Sequence, residues 1–488
     1  MATTKERLRH LRYLLKQGRF NEVGRLARRT LTRRLRGVDP DDRDERLRAK
    51  QAAIASLLHF YDGGPQPRWP LEIFIEVSNL CDLQCAMCPT FSALNTNRHT
   101  NISRRQRGFF DVELIDEKLH DALRHALVVH AFGYGEPTLH PRFTELVEKL
   151  GRYDVMVDFF THGMHLDDAL CAEMVRQRVG MITLSFSGAE ADQYENIYLG
   201  GDFERVLDNL GRLDRHKRRA GARFPLIVIN SLAFRHHVER LPDFVRVMAE
   251  AGANVIHLKP LQTFDNITEL KGHAAIYDES QAEVLAQAHA VARELGVTLA
   301  TREYEDTANR PAPEPARPEV PIERLKEIAQ ARRRQKGAQG EKAEKKVEIQ
   351  VPEPGTVTYT PVPDIHCTEP FKTLYLSYEG AAFPCCFKDI KSMWGDMGRQ
   401  TAMEIWRSPL MAELRTQVQQ RRYPLDLCHH CVKTRAYPKR NPARVHIAHY
   451  SQWLEDKYGT RLPEALMAKV EALPEENAKL FERFDAAP

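Results

Sequence analysis

Three cysteines, Cys81, Cys85 and Cys88, lie in the stretch Glu76-Val-Ser-Asn-Leu-Cys81-Asp-Leu-Gln-Cys85-Ala-Met-Cys88-Pro89. The C-x3-C-x2-C spacing lets three thiolates wrap one face of a metal centre. A cubane [4Fe–4S] cluster has four irons and usually takes cysteine ligands, so three thiolates leave one iron open to a chelating ligand. Structural zinc prefers four closed ligands in paired spacings, which a three-thiol loop without a nearby histidine fits poorly. An apolar run at 71–77 precedes the cysteines directly and predicts a strand. The thiols therefore belong on a loop at a strand's C-terminal end.

A second group, Cys367, Cys385, Cys386, Cys428 and Cys431, lies far downstream. Pro384-Cys385-Cys386 ends a hairpin-like stretch, and Cys428-His-His-Cys431 supplies a C-x2-C pair. Ligand chemistry alone leaves zinc and a second iron–sulfur cluster both open here. Eight of the nine cysteines thus fall in two groups. In a reducing cytoplasm such clusters point to metal before disulfides. Cys171 stands alone in a helical pattern and reads as an ordinary buried cysteine.

The elements that must position these groups alternate regularly. Apolar runs at 71–77, 127–132, 155–160, 180–186, 225–232 and 254–258 predict strands. Helical patterns occupy 114–124, 142–151, 166–178, 203–219 and 239–251. Strand–helix–strand repetition predicts an α/β fold with a parallel sheet, and six such units argue for an open or closed barrel. Ligands then gather at the C-terminal ends of the strands. Tyr134, His162, Asn230, His257 and Lys259 lie at such ends and are candidates to line a substrate site.

The flanks read differently. Residues 5–60 predict helices, and the first 38 residues are strongly basic. Five prolines between Pro311 and Pro321, followed by a charge-rich run, read as linker with one solvated helix over 321–335. A net charge of +4 in 488 residues singles out no partner class. No apolar run approaches the ~20 residues that span a bilayer, and no signal-peptide pattern opens the chain. The expected location is the cytoplasm.

Further segments complete a pattern in chain order: Gly133-Tyr-Gly135-Glu136-Pro137, Thr161-His162-Gly163 and Ser185-Phe-Ser187-Gly188. Together with the cysteine loop, over about 70–262, the chain resembles the radical S-adenosylmethionine (SAM) superfamily. That resemblance implies a partial (β/α)6 barrel whose first cluster is held by Cys81, Cys85 and Cys88 and binds SAM. It places Met87 near the adenine, Gly133, Gly135 and Glu136 at the SAM amino group, and Ser185 near the ribose. Three positions depart from the family: Met87 replaces an aromatic residue, His162 an asparagine and Ser187 an aspartate.

Residues beyond 357 resemble the SPASM and twitch extensions of the same superfamily. The likeness rests on Cys367, the Glu379-Gly380 hairpin, Pro384-Cys385, Ala402-Met-Glu-Ile-Trp406-Arg-Ser408-Pro-Leu-Met411 and the closing C-x2-C. It implies one auxiliary [4Fe–4S] cluster on Cys367, Cys385, Cys428 and Cys431, with Cys386 spare. The expected domains are a basic helical N-terminal extension (1–69), the radical SAM core (70–303), a Pro- and charge-rich linker (304–356), the SPASM/twitch-like domain (357–440) and C-terminal helices (441–488).

The resemblance implies reductive cleavage of SAM to a 5′-deoxyadenosyl radical, with a ferredoxin- or flavodoxin-type electron donor. The leading expectation is an oxidoreductase of a small polyhydroxylated or amino-sugar-like molecule, its auxiliary cluster accepting the substrate electron. The first alternative is a peptide-modifying maturase, for which residues 1–60 could receive a leader peptide. RNA modification and a non-catalytic metal scaffold are further readings. The missing aromatic and basic RNA platform argues against nucleic acid.

Overall fold

The computed structural model describes residues 43–95, 108–262, 267–308, 320–339, 350–385, 393–434 and 439–486. The basic first 38 residues, most of the proline run and Cys386 lie outside them. Residues 50–488 make one compact unit. Of the unit before it, the described residues 43–49 are the first turns of helix α1 (Arg43–Tyr61).

The expected strands form in order: β1 (Glu72–Ile75), β2 (Val128–His130), β3 (Met156–Thr161), β4 (Met181–Ser185), β5 (Leu226–Ala233) and β6 (Val255–Pro260). A seventh, β7 (Thr298–Ala300), follows, which the sequence pattern did not show. All pair in parallel with their chain neighbours. The sheet ends on β7 without returning to β1, so the barrel is partial.

Side chains alternate between the two faces of each strand. Ile73, Val129, Ile182, Ile229 and Ile256 are fully buried beneath the crossover helices. The helices of nine residues or more in the core are α2 (Phe143–Gly151), α3 (Asp168–Gln177), α4 (Phe203–Arg219), α5 (Leu241–Glu250) and α6 (Ala282–Glu294). Caps set their starts: Asp167 accepts from Leu170 N–H at 2.8 Å and Asp202 from Arg205 N–H at 3.0 Å.

Helix α7 (Leu325–Gln339) lies where a solvated linker helix is expected. It is packed instead, because Leu325 and Ala329, with Ile322 just before them, give its first turns a buried apolar side. Arg332 then donates to Leu94 O at 2.7 Å, next to the loop that follows Cys88.

The C-terminal region is fused to the core rather than hung from it. Strands β9 (Thr373–Leu376), β10 (Ala381–Phe383) and β11 (Gly395–Asp396) extend the same sheet, giving the order β11-β10-β9-β1-β2-β3-β4-β5-β6-β7. Strand β9 pairs in parallel with β1, from Thr373 opposite Glu72 to Leu376 opposite Ile75. A separate ribbon joins β8 (Tyr359–Pro361) to β12 (Arg422–Pro424). Helices α8 (Pro409–Gln419), α9 (Leu425–Thr434), α10 (Pro442–Tyr458) and α11 (Asn477–Ala486) complete the chain. None of the described helices is long and apolar enough to cross a membrane.

A buried charge network fixes β1, the β9 region and α10 to one another. Glu72 Oε2 accepts from Lys372 Nζ at 3.0 Å, and Lys372 also pairs with Glu369 at 2.9 Å. His446 Nδ1 of α10 meets Glu72 Oε1 at 2.6 Å. His130 adds a longer contact to Glu72, at 3.7 Å. Burial disfavours charge on Glu72, but His446 and Lys372 outweigh it and hold its pKa well below the usual range. Burial likewise opposes charge on His446, and Glu72 outweighs it, so the imidazole pKa is raised. Farther along, α10 crosses the N-terminal ends of β3 and β4. Tyr450 OH donates to Asp154 O at 2.7 Å, and Trp453 Nε1 bonds Arg178 O.

A group whose folded pKa lies above its unfolded value stabilises fully below the unfolded value and loses that contribution as pH rises through the folded one. His446→Gln should therefore destabilise the fold by about 1–3 kcal/mol near pH 6, where the bond to a charged partner is lost. The gap between the denaturation midpoints of wild type and variant should narrow by pH 9. A gap that widens with pH would remove the charged His446–Glu72 pair from the account.

Candidate metal centres

The loop carrying Cys81, Cys85 and Cys88 leaves β1 and is seated on the segment that leaves β2. Gly135 N–H donates to Ser78 O at 3.1 Å, and Glu136 N–H to Leu80 O at 2.7 Å. The glycines are needed for this approach. A Cβ on Gly135 would stand 2.3 Å from Leu80 O, and one on Gly133 would stand 2.4 Å from Glu76 Cγ. The room these glycines leave is thus filled by the cysteine loop's own chain. From the other side, Gln84 N–H and Ala86 N–H donate to Leu199 O and Ile197 O at 2.9 and 2.7 Å. That buttress, the short helix Ala191–Ile197 and the turn after it, carried no sequence signal.

Glu136 is buried, at 4% exposure, and its carboxylate is heavily used. Oε1 accepts from Thr138 N–H at 3.1 Å and from Thr161 Oγ1 at 2.7 Å, and Oε2 accepts from His162 N–H at 2.9 Å. The residue thus ties the exit of β3 to the exit of β2. His162 extends the tie to the cysteine loop. Its Nε2 meets Asp82 Oδ1 at 2.9 Å, and His165 Nε2 meets Asp82 Oδ2 at 2.7 Å. Donor atoms of Cys81, Asp82 and His162 all lie within 4.8 Å of one another. Burial pulls the His162 pKa down, but Glu136, Asp82 and Cys81 outweigh it and carry the value up to about 10. Burial also works against the Asp82 charge, and the two histidines prevail, lowering its pKa.

Asp82 and His165 belong to no motif, and only the fold brings them to Cys81. Ser187, which stands where the family pattern has aspartate, is fully buried. Its Oγ accepts from Leu232 N–H at 2.9 Å and lies 3.2 Å from Tyr198 OH, so the residue ties β5 to the buttress. Ser185 ends β4, opposite Asn230 of β5, and is half-buried, as is Met87 in the cysteine loop. Cys171 is fully buried apart from both groups, and burial pushes its thiol to about 12.

Burial raises the pKa of Cys85 strongly, and the charges of Cys88 and Cys81 add to it. Cys88 is raised by burial as well, although Phe91 N–H donates to its Sγ at 3.3 Å. Three thiols on one short loop are a donor set that fits an iron–sulfur cluster.

The downstream group repeats the pattern. Cys428 and Cys431 lie one turn apart on α9, which puts both on one helix face. Burial raises Cys428 to about 12, with Cys431 adding to it. Cys367 is raised by burial, then by Glu369, Cys428 and Cys431. The three thiols are thus near enough to influence one another's charge. Cys385 follows β10 at the hairpin's end. None of the eight described cysteines is in a disulfide.

The fold and the cysteine loop define a class that comparison with known proteins makes explicit. Residues 75–230 match the model of the radical SAM superfamily. Its C-terminal region is a SPASM domain, an iron–sulfur cluster-binding domain matched at residues 367–432. The two domains imply a SAM-binding [4Fe–4S] cluster and auxiliary iron–sulfur ligation.

Among similar proteins, the tungsten-containing aldehyde ferredoxin oxidoreductase cofactor-modifying protein of Pyrococcus furiosus is 23% identical over 202 residues, 40% of this chain and 54% of that one. The mycofactocin maturase MftC of Mycobacterium ulcerans is 26% identical over 213 residues, 43% of this chain and 52% of its own. The PqqA peptide cyclase of Rhodopseudomonas palustris is 23% identical over 211 residues, 42% and 50%. This chain spans about half the length of each of these relatives. The crystal structure of Streptococcus suis SuiB bound to S-adenosylmethionine superposes with a TM-score of 0.46 at 14% identity, covering 72% of this chain and 68% of that one.

Gly135→Ala should push the Leu80 backbone from its seat. The expected cost is about 1–3 kcal/mol of stability, as for other overpacked sites. Iron retained by the first cluster should fall with it. Gly211→Ala is the control: it sits in α4, where the added Cβ meets only the end of Arg215 at 3.3 Å. That change should hold or raise stability, since alanine favours helix by about 1 kcal/mol over glycine. Equal iron content in the two variants would refute the seating role of Gly135.

Proposed function

We propose that this chain reductively cleaves SAM at a [4Fe–4S] cluster held by Cys81, Cys85 and Cys88 and uses the radical to modify a peptide. The observation that carries the proposal is the placement of three thiols on the loop that leaves β1, inside a matched radical SAM domain. When bound, the cluster supplies the electron that breaks the SAM sulfonium and releases a 5′-deoxyadenosyl radical, which takes hydrogen from substrate.

The chain's own residues position and shield. Gly133 and Gly135 let the cysteine loop lie against β2, and Glu136 locks the β2 and β3 exits beside it. Gly133, Gly135, Glu136, Met87 and Ser185 are the proposed SAM contacts. The Glu136 carboxylate, already bonded to Thr138, Thr161 and His162, would be the acceptor for the SAM ammonium. Cys367, Cys385, Cys428 and Cys431 are the proposed ligands of one auxiliary [4Fe–4S] cluster. A small iron–sulfur or flavin protein is the proposed electron donor.

The peptide reading has more support than the amino-sugar reading favoured on sequence grounds. Relatives at 22–26% identity include proteins named as maturases and peptide cyclases. The coverage of those relatives is partial, so the substrate class rests on experiment.

Anaerobically reconstituted protein should hold about eight irons per chain, from two four-iron clusters. With SAM and a strong reductant it should release 5′-deoxyadenosine. Replacing Cys81, Cys85 and Cys88 together by Ala should leave about four irons and abolish 5′-deoxyadenosine. Small peptides encoded beside the gene should lose hydrogen mass or gain a cross-link in step with SAM turnover. Conversion of amino-sugars with no change in any such peptide would reverse the substrate assignment.

A further inference from the structure

The inner face of the sheet carries a wall that none of these roles uses. On β1, β2 and β3 the side chains alternate between the helix layer and the lumen. Phe159 points to the helices and meets Phe143 of α2 edge-on, with ring centroids 5.0 Å apart. Phe160, its neighbour, points the other way and is 38% exposed. It meets Phe132 at 4.6 Å, and Phe132 meets Phe74 at 5.6 Å. Tyr375 of β9 continues the row, 6.0 Å from Phe74. The wall thus runs across four adjacent strands and ends beside Thr161, the residue bonded to Glu136 at the cysteine loop.

His446, Tyr450 and Trp453 of α10 lie at the N-terminal ends of β1, β3 and β4, and the cysteine loop lies at the opposite ends of the strands. On the strands that follow, β4, β5 and β6, Ser185, Asn230 and His257 share one register row. Asn230 Oδ1 is buried without a hydrogen-bond partner. Burial lowers the His257 pKa, and Lys259 beside it adds to the effect.

We propose that this lumen is a side-chain pocket selecting a bulky apolar residue, aromatic or branched aliphatic, of the peptide to be modified. The proposal rests on the peptide reading above. Three adjacent phenyl rings offer neither donors nor acceptors. A hydroxyl-rich ring pressed against them would give up bonds to water without replacing them. An apolar side chain gains by leaving water there and matches the edge-to-face geometry of Phe132 and Phe160. Asn230, whose Oδ1 has no hydrogen-bond partner, can accept from a backbone N–H of the peptide.

The test uses reconstituted holoenzyme with SAM and no reductant, and five probes read by saturation-transfer NMR. The probes are the N-acetyl amides of phenylalanine, leucine, glutamine and aspartate, and glucosamine. The phenylalanine and leucine amides should bind at least about tenfold tighter than the other three, the scale on which apolar pockets discriminate. Phe160→Asp and the milder Phe160→Ala should each weaken the phenylalanine amide, with SAM affinity within about twofold of wild type. Glutamine or aspartate amides binding as tightly, or phenylalanine binding untouched by both variants, would overturn the pocket while leaving the peptide reading intact. Binding by none of the five would overturn it equally. Glucosamine binding tightest, and losing affinity in Phe160→Asp, would overturn both the pocket and the peptide reading.

Discussion

The backbone of Leu80 lies against the backbone of Gly135, and the site is built outward from that contact. Two short hydrogen bonds and the missing Cβ of Gly135 fix where the cysteine loop can lie. Glu136, the next residue, then reaches the β3 exit through Thr161 and His162. His162 returns to the loop through Asp82. A closed circuit of bonds, completed through the exposed Asp82, thus ties three strand exits to the loop that carries the three thiols.

Parts of this arrangement were legible because they impose local rules. The six core strands show as apolar runs, since one face of each must be buried beneath helices. The cysteine and glycine segments show because few residue types satisfy their chemistry or their space. What the sequence hides is contact across long separations. Asp82 and His165 have no pattern, and they meet only because β1 and β3 end at the same edge. Glu72 is paired with Lys372 and His446, 300 and 374 residues away in the chain. The joining of β9 to β1 is invisible for the same reason, so a region readable as a separate domain extends the core sheet instead. Helix α7 was misread as solvated because its charges outnumber the few apolar side chains that pack. Ser187 departs from the family's aspartate, and the structure gives it work as a buried hydroxyl between β5 and Tyr198.

This continuity of the sheet has a functional consequence. Cys367, shortly before β9, and the first cysteine loop, directly after β1, flank neighbouring strands of one sheet, since β9 and β1 share a ladder. The charge network at Glu72 ties α10 to the start of β1.

The account stands on SAM meeting a cluster carried by Cys81, Cys85 and Cys88, and electron paramagnetic resonance of the reduced holoenzyme reads that meeting directly. Reduced protein should show signals from two [4Fe–4S] clusters, and adding SAM should shift the g-values of one of them. The variant with all three of these cysteines changed to Ala should keep the SAM-insensitive signal and lose the other. A SAM-induced shift that survives in that variant, or that disappears when Cys428 alone is replaced, would contradict the assignment.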